Sequence, residues 1–114
     1  MQIPKPKEAD REFFQSLVGD LPEVEVKPMF GNLGAFVNGN MFMGLFGSDI
    51  GLKLEPADAA ALGSVEGAGP FGPAERPMGG YVSIPPALLG TANGSDWIER
   101  ALGYVATFPP KKPR

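Results

Sequence analysis

The chain has no cysteine and no histidine among its 114 residues. A disulfide, a thiol nucleophile, a zinc site built from Cys or His, and a Ser-His-Asp triad are therefore excluded within one chain. Acid–base work would fall to Asp, Glu, Lys or Tyr alone. No apolar run approaches the ~20 residues that a bilayer-spanning helix needs. The opening MQIPKPKEADRE carries no apolar segment of the secretory kind. The reading of these absences is a cytoplasmic protein with no metal, no cofactor and no membrane partner.

What is present is an apolar content of 43%, enough for a buried core, together with 16 glycines and 13 prolines. Those glycines and prolines sit between apolar runs and not in repeats, so they read as turn punctuation. The length fits one domain over residues 1–108, followed by a Pro-flanked basic tail over 109–114. Net charge is −3, and the tail holds three of the ten basic residues. An acidic body draws in no polyanion. The last helical segment offers Arg100 as its single cation, which disfavours direct nucleic-acid binding.

Apolar periodicity predicts a helix over 7–19, with Ala9, Phe13 and Leu17 in one stripe and Phe14 and Val18 beside it. Alternation in VEVKPM predicts a strand over 24–29, and Pro28 makes it an edge or a strand end. Residues 30–54 read as three antiparallel strands. Asn38-Gly39 marks a two-residue hairpin and Gly47-Ser48-Asp49 a second turn. The near-continuous apolar run 41–46 predicts a strand covered on both faces, by helices or by a partner chain. PADAAALG predicts a short middle helix opened by Pro56. RPMGGYVSIP reads as one or two more strands, and Leu88 and Leu89 as a small turn. Ser95 is the expected cap of a closing helix, DWIERALGYVATF, with Trp97, Ala101 and Val105 in one stripe. Asn93-Gly94-Ser95 spells a glycosylation sequon and is read as turn and cap. The order gives an α+β fold: a mostly antiparallel sheet with N-terminal, middle and C-terminal helices on one face.

Residues 67–72, GAGPFG, match the dinucleotide fingerprint G-x-G-x-x-G. A working fingerprint follows a strand and opens a helix. Here a predicted helix precedes it, and Pro70 and Pro73 remove N–H donors that a phosphate cradle uses. The segment is read as a connector, with Phe71 buried. The glycines of 29–39 lack the Lys-Ser or Lys-Thr of a phosphate loop. Lys27, Lys53 and Arg76 are the cations of the strand region. With Tyr81 they form an alternative reading, a small anionic-ligand site. Met29 and Phe30 belong with them to a candidate ligand or partner surface. Eight Phe, five Met, two Tyr and one Trp are a heavy apolar load for this length, and a homodimer interface is one place for it.

KPMFGNLGAFVNGNMFMGLF followed by IGLKL resembles the opening of the TfoX N-terminal domain of competence regulators. GPFGPAERPMGGYVSIPPALL and SDWIERAL resemble its later segments, so the likeness spans residues 8–108. The family often has a second glycine where this chain has Asn32, and Asn32 is expected to keep the turn by adopting left-handed geometry. The resemblance implies a secretion-chaperone-like α+β fold of the TfoX-N type. It also implies a non-enzymatic interaction module with an unidentified protein partner and a link to transcription. The regulators' C-terminal domain is not part of the sequence to Arg114, so a stand-alone module is expected. The family supplies no catalytic residues to transfer.

Overall fold

The computed structural model describes residues 5–19, 21, 23–29, 31–72 and 78–110. Helix α1 spans Glu8–Val18. Four strands follow: β1 Val24–Met29, β2 Asn32–Val37, β3 Asn40–Phe46 and β4 Asp49–Lys53. Helix α2 is Pro56–Gly63, β5 is Gly69–Pro70 and β6 is Tyr81–Ser83. A 3-10 turn at Pro86–Leu88 leads into α3, Ala92–Val105. The strands form one antiparallel sheet in the order β1-β2-β3-β4-β6-β5. The expected α+β class and the edge position of β1 are both found.

Asn38 and Gly39 take φ of 53° and 81°. This is the doubly left-handed turn that matches strand twist in a two-residue hairpin, and an amide side chain and a bare α-carbon accept it readily. Asn32 does not use left-handed geometry; the positive φ falls on Gly31. Asn32 instead lies buried at the start of β2, where its Oδ1 accepts from the Gly47 N–H at 2.8 Å. One amide side chain thereby holds the β3–β4 turn.

All three helices cover one face of the sheet. Phe14 and Val18 of α1, Leu62 of α2, and Ile98, Ala101 and Val105 of α3 meet Leu33, Ala35, Val37, Met43, Leu45, Ile50 and Leu52 in one core. The α1 stripe is rotated from expectation. Phe14 and Val18 are buried, whereas Phe13 is 41% exposed and Ala9 faces solvent. A helix of three turns over a sheet edge buries only the residues at its contact line, and Phe14 wins that line by reaching the core. The cap of helix α3 lies four residues before the expected one. Thr91 is the cap, its Oγ1 accepting from the Gly94 N–H at 3.2 Å. Asn93-Gly94-Ser95 therefore lies inside the helix. Gly94 fits there because a Cβ would run into the Leu88 carbonyl of the preceding turn.

The opposite face of the sheet has its own cover. Residues 41–45 are buried throughout, and side chains of the same chain, Phe71 and Met41, lie on this second face. One register rung crosses the whole sheet: Lys27, Gly34, Gly44, Gly51, Ser83 and Gly69. Three adjacent strands thus present bare backbone. The Phe71 ring lies on Gly51 and reaches Gly44, and Met41 lies over Gly34. Phe71 is only 2% exposed, as the connector reading expects, and packs edge-on to Phe46 with centroids 6.2 Å apart. GAGPFG makes no phosphate cradle. Its Gly69–Pro70 pair adds an edge strand to β6, where a proline without an N–H is tolerated.

A Cβ on Gly51 would sit inside the Phe71 ring, so Gly51→Ala is expected to cost about 1–3 kcal/mol of stability. Gly103 is exposed in α3 with open space beside it. Gly103→Ala should therefore stabilise by about 0.5–1 kcal/mol. Urea unfolding midpoints moving in opposite directions for the two glycines would confirm both; equal shifts would contradict the seating of Phe71.

Candidate functional site

The sheet separates the sequence-predicted cations. Lys27 and Lys53 lie on the same helix-free face, but β2 and β3 run between their strands. Three strand spacings of about 4.8 Å put their strands about 14 Å apart. Lys27 pairs with Glu25 at 3.3 Å and lies over the Phe36 ring at 5.3 Å. Met29 is half-buried at the end of β1, opposite Asn32. Phe30 and Arg76 lie outside the described residues.

Lys53 and Tyr81 do come together, as direct partners in the β4–β6 ladder. The Lys53 ammonium sits 4.9 Å from the Tyr81 ring centroid and 5.9 Å from that of Phe108. Gly80 gives it room: its φ of +83° favours glycine, and a Cβ there would stand 3.2 Å from Nζ. The Tyr81 hydroxyl donates to the Met41 carbonyl at 2.8 Å, tying β6 across to β3. Asn40 Nδ2 donates to the Pro109 carbonyl at 3.0 Å. This bond holds the segment after α3 against the β2–β3 turn and presents Phe108. The result is a cavity of about 180 Å3 lined by Asn40, Met41, Lys53, Tyr81 and Phe108.

Sequence reasoning found two of these five residues, Lys53 and Tyr81. Asn40 was hidden in a turn and Met41 in an apolar strand. Phe108 read as the last residue of the closing helix, which in the structure ends at Val105. The Pro109-Pro110 pair that ends the helix beside an aromatic was the available signal. Among the described residues, no three acidic side chains gather closely enough to hold a metal ion. No helix there is long and apolar enough to cross a membrane.

Burial pushes the Tyr81 hydroxyl from 10.0 up to about 12. The folded state therefore keeps the phenol neutral where the unfolded chain ionises it. Its contribution to stability is complete below pH 10 and is lost as pH rises toward 12. A spectrophotometric titration of wild type against Tyr81→Phe should show one phenol ionising near pH 12. The alkaline loss of stability should be shallower in the variant; identical alkaline profiles would contradict this.

The TfoX N-terminal domain family matches residues 16–104, well over half of the chain. No curated protein and no solved structure matches it. The matched span takes in the meander, the Phe71 connector and all but the last residue of α3. The chain belongs to the TfoX N-terminal domain family.

Proposed function

We propose that this chain is a non-enzymatic protein-interaction module of the cytoplasm that works as a homodimer and is accessory to transcription. Family membership supports the regulatory side of the reading, because domains of this kind open competence regulators. The observation that carries the interaction side is the open edge of β1.

β1 is six residues long and, among the described residues, has a neighbouring strand on one side only. Its free edge is a template for strand addition. Lys27 and Pro28 blunt that edge against indiscriminate pairing. They leave room for a partner that places an acid opposite Lys27. A second copy does so: antiparallel pairing about a two-fold axis at Val26 sets Glu25 of each chain opposite Lys27 of the other. Such an interface is isologous, as two-fold dimers are. The half-buried Val24 and Val26 would complete their burial in it. Leu21, 39% exposed just before the strand, lies at its end.

Light scattering from low to high micromolar concentration should show a dimer. Each cross-strand charge pair contributes about 0.2–1 kcal/mol. Two such pairs become repulsive in Lys27→Glu, so that variant should dissociate at several-fold higher concentration. The exchanged variant Glu25→Lys/Lys27→Glu should recover the dimer. A monomer at high micromolar concentration, or a dimer indifferent to Lys27→Glu, would remove this interface. Cross-linked capture from the native cell that retrieves no transcription component would remove the regulatory part.

A further inference from the structure

We propose that the recess between Lys53, Tyr81 and Phe108 binds a small monocarboxylate. The recess lies at the β4–β6 half of the sheet, away from β1, so this reading and the dimer stand or fall separately.

The charge balance around Lys53 is the first argument. The chain carries 13 acidic residues and a net charge of −3. Lys27 is matched with Glu25 and Arg100 with Asp58 at 3.1 Å, and Arg11 in α1 donates to the Gly31 carbonyl at 3.4 Å. Lys53 is half-buried, and no carboxylate lies within ion-pair distance of it among the described residues. Two aromatic faces stabilise the ammonium without accepting hydrogen bonds of ordinary strength. An ammonium has three N–H donors and no acceptor. The recess therefore holds a positive charge with no carboxylate partner among the described residues.

The neighbouring polar groups select the charge of the ligand. The Tyr81 proton is committed to the Met41 carbonyl, and the two Asn40 amide protons to the Pro109 carbonyl at 3.0 Å and the Asn38 carbonyl at 3.5 Å. Neither is left to donate to an anion. A phosphate dianion is held by several donors, by Arg forks or by backbone N–H groups at a helix start. Here the ligand meets one ammonium and one unit of charge, which a carboxylate matches. Size sets the second limit. A cavity of about 180 Å3 holds about six water volumes at ~30 Å3 each. That accommodates a carboxylate on a short or single-ring carbon body. Met41 and Phe108 provide apolar surface for that body.

Sodium butyrate and sodium benzoate are the probes, with inorganic phosphate at equal ionic strength as comparator. Methyl NMR should show a saturable shift of the Met41 methyl, with the Tyr81 and Phe108 ring signals moving in step. Lys53→Met keeps the stem and removes the charge; its affinity for the carboxylates should fall by about tenfold or more. Circular dichroism checks that the variant is folded. Should it not fold, Phe108→Ala replaces it, with a comparable loss expected from the missing wall. Three results would overturn the proposal: no saturable shift with either carboxylate, unchanged affinity in the folded variant, or phosphate saturating the site more tightly than both carboxylates.

Discussion

The contact between the Phe71 ring and the bare backbone of Gly44 and Gly51 governs how this sheet is finished. A sheet with helices on one face leaves the other to water, and an apolar central strand such as β3 cannot be left so. The usual remedy is a second layer of helices. Here a single aromatic side chain, carried on the connector after α2, lies in a trough of glycines. Burying a Phe side chain contributes about 1.5–3 kcal/mol. The glycines let the ring approach to van der Waals contact with the strands, where any Cβ would hold it away. The loss of side-chain packing at Gly44 and Gly51 is offset by one well-seated ring.

That arrangement also decides where the charged groups of the face can stand. The glycine rung ends at Lys27 on the β1 side. Lys53 lies two residues beyond Gly51 on the same face, next to Tyr81, whose ring is 6.1 Å from Phe71. Both lysines rest on aromatic rings: Phe36 for one, Tyr81 and Phe108 for the other. The aromatic cover that shields β3 therefore also forms the bed for the cations. One lysine is matched with a neighbouring carboxylate in its own strand and the other is not, and this difference separates a partner edge from a ligand recess.

The meander was legible in the sequence because strand alternation, Pro28 and Asn38-Gly39 each have a local physical meaning. The middle helix was legible from Pro56 and its alanines. Other features depended on partners far away along the chain. Gly69–Pro70 has no intrinsic strand tendency and is a strand only because Ser83 and Val82 lie beside it. Gly94 argued against a helix until the Leu88 carbonyl was seen to need its missing side chain. The stripe on α1 was ambiguous between Phe13 and Phe14, since both recur at helical spacing. The recess was half legible: Lys53 and Tyr81 were singled out by residue type. Their pairing, and the arrival of Phe108 and Asn40 beside them, required the β4–β6 ladder and the exit of α3. Lys27 carried the same chemical label and fell elsewhere, because strand order is not written in residue type.

The irregularity between β2 and β3 has a reach beyond the hairpin. Ala35 pairs with Met43, but Phe36 pairs with Met41, so Phe42 is a supernumerary residue in β3. It acts as a frame shift in the strand's inside–outside code. Downstream of it, odd-numbered side chains enter the helical core; upstream, odd-numbered Met41 is turned to the other face. The strand can thus place Phe42 and Met43 side by side in the core and still deliver Met41 to the recess. A chain one residue shorter at this point would read out in a single frame along β3. It would still hold Met41 opposite Phe36 on the far face but would lose Phe42 from the core, so the inserted residue fills the core without disturbing the wall of the recess.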